Sequence, residues 1–393
     1  MNRERRSLVW FIIGAFVLVA GTIALGGWLA GGGPTRAFAK PGQIVFISDR
    51  TGSPDVWITE EDGSNARRLM AEEGEERETA FAPKGDWIYY TADFGAQELQ
   101  LCRTRPTGKM AGRMLSSGGA QSSLSVSTGA LKVGYISNTQ GFAIGLDGKN
   151  PERVLPSHAD EQLNLPQLAA MPGGLPGTRR YSSARLSARP GWIAAMSQGF
   201  DNQRLFVGLG DHYVTATLLG ADEQPLVGEE CGFAWAPDGA RLAVATIGPP
   251  GTSSLLVYAP DPDQIPEDDP SAGVPIIPAE RILINVADGS VGFRHPAWSP
   301  DGKEIAFSRF RVEKSGGRVD DGIWVAPAEG GTPRQIARGG ATLPVYSPDG
   351  RFMLYQLGAD IIRCDREGGQ VKNLTEGKGI NRYPSWSPVL SKK

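Results

Sequence analysis

The sequence predicts an all-β chain folded as a β-propeller of four-stranded blades, with one apolar helix ahead of it. Three observations carry this. A unit of about 35–50 residues recurs along the chain, the period of a propeller blade. Its clearest copies hold an aromatic residue, a Ser-Pro-Asp-Gly-like turn and an apolar strand. The first and last body segments are complementary halves of one unit. Composition agrees: 52 Gly and 29 Pro in 393 residues, without collagen periodicity, imply many turns and many short strands.

The N-terminal element is Leu8 to Ala30, LVWFIIGAFVLVAGTIALGGWLA, an uncharged stretch. As a helix rising about 1.5 Å per residue it spans roughly 34 Å, enough for a hydrocarbon core of about 30 Å. MNRERR precedes it, so the positive-inside rule places the N-terminus in the cytoplasm and the body outside. The alternative is a signal peptide cleaved near Ala39, at the small-x-small site Ala37-Phe38-Ala39, which would secrete the body. The long apolar run, and the distance from it to that site, favour a signal anchor. Either way the body is exported, to a periplasmic location. The organisation expected is a cytoplasmic N-terminus over 1–7, a transmembrane signal anchor over 8–30, a Gly/Pro-rich linker over 31–42, the propeller over 43–388 and a tail over 389–393.

The first blade opens with GQIVFISDRTGSPDVWITEEDGSNARRLM, Gly42 to Met70, which has no inner strand. Its missing piece is RYPSWSP, Arg382 to Pro388, so pairing of the chain ends closes the ring. The other units are 77–116, 120–156, 182–220, 230–286, 293–337 and 341–375, which makes seven blades, with six or eight as the alternatives. In the clear copies the inner strand ends in an aromatic residue: Phe81, Trp235, Trp298, Tyr346 and Trp386. A Pro-Asp-Gly or Pro-Lys-Gly turn follows. Pro presets φ, Asp bonds the local backbone and Gly takes the positive φ. The second strand is apolar, as in Ile305-Ala306-Phe307, and so is the core of the third, as in Val56-Trp57-Ile58. The fourth is more polar, as in Val371 to Leu374, which suits an outer rim. The units at 120–156 and 182–220 are weaker, with Ser-Thr-Gly and Arg-Pro-Gly at the turn.

WSPDGKEIAFSR, ISDRTGSPDVWITEEDGSNARRL and ADIIRCDREGGQVKNLT are similar to the TolB-type (WD-like) propeller repeat. The resemblance covers most of 43–388 and is strongest at both ends. It implies an extracytoplasmic propeller that binds other proteins. The chain departs from TolB in lacking the separate N-terminal α/β domain, in carrying a membrane anchor and in having one blade more than the usual six. The resemblance therefore reaches the fold and not membership of the Tol–Pal system.

The linker leads into the second strand of blade one, so the Pro-Asp-Gly side is expected to face the membrane and the opposite face to point away. Two insertions on that opposite face, Arg309 to Gly322 and Ser157 to Arg180, read as loops where binding can sit. The Pro-rich Pro260 to Glu280 reads as a flexible excursion. Six residues before the turn proline stand Arg77, Arg294 and Arg382, in neighbouring blades near the channel mouth. Their guanidinium forks suit a carboxylate, a phosphate or an acidic peptide. Local acids such as Glu78 or Asp49 are their alternative partners. The candidate partner-binding set is Arg77, Arg294 and Arg382, with His295 and Tyr383 beside them and Asp49 and Arg50 at the end of a neighbouring strand.

Enzyme signatures are sparse. His158, His212 and His295 have no metal-ligand spacing, and neither a GxSxG elbow nor a phosphate loop occurs. Cys102, Cys231 and Cys364 form neither a disulfide framework nor a zinc motif. No metal, cofactor or catalytic residue is assigned. Residues 1–42 carry a net +4, which leaves -7 of the total -3 on the body, and an acidic body lacks the basic face that nucleic acid needs. The expected function is a non-enzymatic, membrane-anchored scaffold for an envelope protein partner. The alternatives are a small-ligand or glycan sensor, or a propeller carbohydrate lyase or hydrolase with its site at the channel mouth.

Overall fold

The structure, a computed structural model, describes residues 38–70, 74–95, 99–108, 112–113, 121–163, 179–197, 203–228, 230–248, 252–265 and 274–388. The predicted anchor and the tail lie outside these residues. Among the described residues no helix is long and apolar enough to cross a membrane.

Seven sheets follow one another along the chain, antiparallel throughout except for one short parallel pair in blade four. Blade one joins Ile44–Ser48, Asp55–Thr59 and Arg67–Arg68 to the C-terminal Asn381–Trp386, which supplies its inner strand. The register pairs Ile44 with Trp386 and Ser48 with Asn381. The inner strands of blades two to seven are Glu75–Phe81, Gln121–Val126, Tyr181–Leu186, Glu230–Trp235, Val291–Trp298 and Ala341–Tyr346. The closure by the two ends of the body is the one read from the repeat, and the inner strands start within a few residues of the read boundaries, but Ile276–Ile277, read in blade five, joins the sheet of blade four.

The core explains why the blades form a ring. No four-stranded sheet can cover both of its own faces, and seven apolar clusters here each span two consecutive blades. Leu354 and Ile361 of blade seven pack with Ile44, Phe46 and Trp386 of blade one. Val45 and Ile58 of blade one pack with Ile88 and Tyr90 of blade two. Similar clusters fill the five remaining interfaces.

The repeated aromatic has a specific task at three interfaces. Trp235 Nε1 donates to the Arg185 carbonyl of blade four at 2.9 Å, and Trp298 Nε1 to the Ala234 carbonyl of blade five at 3.0 Å. Trp386 Nε1 reaches the Val345 carbonyl of blade seven at 3.4 Å. Each indole thus fastens its blade to the inner strand before it. The turn that follows is self-contained. In blade six Ser299 Oγ donates to Asp301 at 2.6 Å and accepts from the Glu304 N–H at 3.0 Å, while Gly302 takes φ +67°.

Two expected surface features differ from the sequence reading. Arg309 to Gly322 is not a loop but the prolonged hairpin of blade six, with strands Glu304–Val312 and Arg318–Pro327. Its Phe310 is buried, which keeps the strands paired beyond the sheet. Pro260 to Glu280 is anchored at both described ends. Ile265 and Ile277 are buried in the core shared by blades four and five, and Ile276–Ile277 pairs in parallel with Ala216–Leu218 of blade four. Its middle, 266–273, lies outside the described residues.

Both ends of the body meet the ring on the turn side. Ala39 N–H donates to the Gly85 carbonyl, inside the Pro-Lys-Gly turn of blade two, at 2.7 Å. Ser387 Oγ donates to the Lys40 carbonyl at 2.8 Å.

Candidate functional site

The site begins with a kink shared by the inner strands. In blades one, two, three, six and seven their pairing skips residues at the same place, as between Arg294 and Ala297 or Thr342 and Val345. Ser123, His295, Leu343 and Tyr383 sit at that bulge in the left-handed region, with φ of 60°, 53°, 56° and 53°. Three of them precede a proline, Pro296, Pro344 and Pro384, which has no N–H to offer the ladder and is tolerated at a bulge. The bulge turns successive residues toward the axis of the ring.

Arg294 and Arg382 stand just before this bulge and Arg77 stands within it, and their environments differ. Arg294 is committed within its own blade: it donates to Asp320 Oδ1 at 2.5 Å and lies 4.7 Å from the Phe310 ring centroid. Arg77 is exposed, 3.7 Å from Glu75. Arg382 is exposed and has no ion pair among the described residues. The pairing acids expected from the sequence, Glu78 and Asp49, are not the ones used. Glu78 instead accepts the Leu124 N–H of blade three at 2.5 Å. Asp49 accepts the Ile380 N–H at 2.6 Å. Arg50 donates to Ser48 Oγ and to Asn381 Oδ1, both at 2.9 Å, and covers Trp57 at 4.6 Å. Asp49 and Arg50 therefore hold the seam where the ring closes.

Tyr383 is exposed, and its carbonyl accepts from Thr79 Oγ1 of blade two at 2.8 Å. Around it the same face exposes Leu357, Ile380, Val312 and Val319. The last two are at the tip of the blade-six hairpin, opposite Arg318 and Arg311. Blades six, seven and one thus each expose large apolar side chains at this end of the ring, with Arg382 beside Tyr383 in the chain.

Further along the inner strands the walls close on a cavity of about 400 Å³. It is lined by Ser183 and Arg185 of blade four, Gly232, Phe233 and Ala234 of blade five, His295 and Pro296 of blade six, and Leu343, Pro344 and Val345 of blade seven. Because four inner strands share it, it lies on the ring axis. His295 Nδ1 is 3.2 Å from Ser308 Oγ, and that hydroxyl also accepts the Leu343 N–H at 3.0 Å. Burial, and next the adjacent Arg294, push the imidazole down to a pKa of about 4, so it is neutral at pH 7.

Sequence reasoning missed Arg185, although the signal was present. The residue just before the repeated aromatic is Ala80, Ala234, Ala297, Val345 and Ser385 in the five clear copies. The strand register makes Ser125 and Arg185 their equivalents in blades three and four. Pro190 is displaced by two positions relative to the other turn prolines, so counting back from it misaligns blade four. Burial pulls the Arg185 guanidinium pKa down, as it does for Arg50, Arg179 and Arg204, and Glu78 opposes that shift. Among the described residues no three His, Cys, Asp or Glu side chains converge as metal ligands.

No family model matches the chain, and no curated protein matches it in sequence. Solved structures do. An oligogalacturonate lyase in complex with manganese aligns at a TM-score of 0.52 and 12% identity, over 85% of this chain and 85% of that one. A putative 6-phosphogluconolactonase from Bacteroides fragilis aligns at 0.50 and 14%, over 88% of this chain and 95% of that one. TolB from Acinetobacter baumannii aligns at 0.49 and 14%, over 88% of this chain and 67% of that one. At these identities the likeness is one of fold.

Proposed function

We propose that the chain is a non-enzymatic binding propeller, anchored in the membrane by its N-terminal segment, that holds an envelope protein partner on its inner-strand face. The observation that carries this reading is the exposure of large side chains on blades six, seven and one. Leu357, Ile380 and Tyr383 are large side chains left exposed at this end of the ring, and Arg382 has no ion pair among the described residues. Contiguous apolar surface edged by polar groups is the usual mark of a protein interaction site, and Tyr and Arg are the residues that dominate such sites. The face is also free of both ends of the body, which meet the ring on the turn side. The partner expected is a folded protein or peptide offering an apolar centre and a carboxylate for Arg382.

The test is co-purification from crosslinked envelopes of the native chain and of Ile380→Asp/Arg382→Glu. Arg294 is left intact, because reversing it would break its bond to Asp320. The reading expects a partner captured by the native protein and lost by a variant with an unchanged melting temperature. Equal capture by both would move the interface elsewhere.

A further inference from the structure

We propose that the axial cavity is a second binding site, for a small organic carboxylate held on the Nε–Nη2 edge of Arg185. The site is distinct from the docking face. It lies further along the inner strands and shares neither Arg382 nor Ile380.

The argument starts from the ring of equivalent positions. Six of its seven members are Ala80, Ser125, Ala234, Ala297, Val345 and Ser385, all small. Only blade four places a long cation there, and the small neighbours leave the room of about 400 Å³ in front of it. The guanidinium is fixed by one nitrogen. Nη1 donates to Ser123 Oγ at 3.1 Å, to the Leu124 carbonyl at 3.0 Å and to the Ala184 carbonyl at 3.4 Å. Ser123 is itself held, accepting the Ala184 N–H at 3.0 Å.

Nε and Nη2 have no hydrogen-bond partner among the described residues, and Arg185 forms no ion pair with any of them. Those two nitrogens make the side-on edge of the fork, whose parallel N–H groups match the two oxygens of a carboxylate. The acid that faces the cation, Glu78, is engaged by the Leu124 N–H. Glu78 offsets part of the cost of desolvating this cation, and an incoming carboxylate on the open edge offsets more of it.

Charge and shape narrow the ligand class. The titratable side chains in the lining are Arg185 and His295, and the imidazole is neutral at pH 7. With Glu78 opposing it, this single positive charge suits a monocarboxylate and disfavours a phosphate dianion. The other walls, Phe233, Ala234, Pro296, Leu343, Pro344 and Val345, are apolar and suit a compact hydrocarbon body.

The test is calorimetric titration of the full detergent-solubilised chain with acetate, butyrate and benzoate, beside benzamide and inorganic phosphate. The expected result is binding of butyrate or benzoate, at least about tenfold weaker binding of benzamide, and no saturable binding of phosphate; tenfold is the loss expected from roughly one charge-assisted hydrogen bond. Arg185→Lys keeps the charge but not the fork and should weaken carboxylate binding by about the same factor. Ala234→Leu fills part of the cavity while leaving the Arg185 side chain in place, and should abolish binding in a protein that still melts cooperatively. Failure of all three carboxylates at millimolar concentration, equal binding of benzamide, tighter binding of phosphate, or full binding by Ala234→Leu would each overturn the assignment. Partner capture by the docking face is read separately, so either proposal can fail alone.

Discussion

The indole clasp gives the most direct handle on how the blades hold together, and Trp298→Phe is the perturbation to make. Trp298 is 8% exposed, and its Nε1 donates to the Ala234 carbonyl at 3.0 Å. Phenylalanine keeps an aromatic ring, and blade two already carries Phe81 at this place. The substitution therefore removes one hydrogen bond between neighbouring blades, at a cost of about 1 kcal/mol. Loss of the larger ring's packing adds roughly another 1 kcal/mol. Trp386→Phe makes the same chemical change at a contact of 3.4 Å, close to the outer limit of a hydrogen bond. Its hydrogen-bond share is therefore smaller, and its total cost is about 1 kcal/mol. Urea unfolding followed by circular dichroism, with the denaturant slope checked for constancy, measures both. A Trp386→Phe cost equal to or above that of Trp298→Phe would refute the claim that the indole bond fastens neighbouring blades.

Other consequences follow from the site. His295 has a folded pKa of about 4 against an ordinary 6.5, so the unfolded chain binds the extra proton first as pH falls. Stability is then lost between about pH 6.5 and pH 4, by on the order of 3 kcal/mol, and His295→Asn, which tolerates the positive φ, should flatten that slope in pH-dependent melting. Asp301 behaves as a separate, lower window. Its pKa is held near 2, first by the Ser299 hydroxyl and then by Arg366, so its contribution is present above its ordinary value near 3.8 and disappears as pH falls toward about 2. Asp301→Asn should remove only that lower step. Asn381 is fully buried at the closure, where Nδ2 donates to the Ala359, Lys378 and Gly379 carbonyls and Oδ1 accepts from Arg50. Asn381→Ala should cost roughly 2–4 kcal/mol in the same unfolding assay, far more than an exposed loop substitution.

The fold was legible because its determinants are local. Each Ser-Pro-Asp-Gly turn builds its own hydrogen bonds, as Ser347 does with Asp349 at 2.7 Å, so the motif marks a hairpin wherever it occurs. The aromatic before it marks the inner strand. The two half units at the chain ends made the closure readable in the same way. Partners far apart in sequence left no such mark. The pairing of Ile276–Ile277 with blade four depends on a surface more than fifty residues upstream, and nothing local distinguishes it from a Pro-rich excursion. The blade-six hairpin carries Gly316 at its tip, and its charged strands lack the apolar alternation of a core strand; Phe310 and paired backbone keep it extended.

The candidate site was legible in part. Spacing from the turn proline placed Arg77, Arg294 and Arg382 at one level of the ring. Spacing alone does not reveal that Asp320, twenty-six residues on, takes one of them. Asp49 and Arg50 were near the right place, but their bonds go to Ile380 and Asn381 across the closure. The axial cavity was hidden by a two-residue offset of Pro190, which shifted Arg185 out of its column.

The measurement that tests the functional reading most directly is site-specific photocrosslinking in intact envelopes. A photoreactive amino acid would replace Tyr383 on the inner-strand face or exposed Lys303 on the turn face. The account predicts a discrete protein adduct from position 383 and none from position 303. An adduct from 303 alone, or from neither, would contradict it.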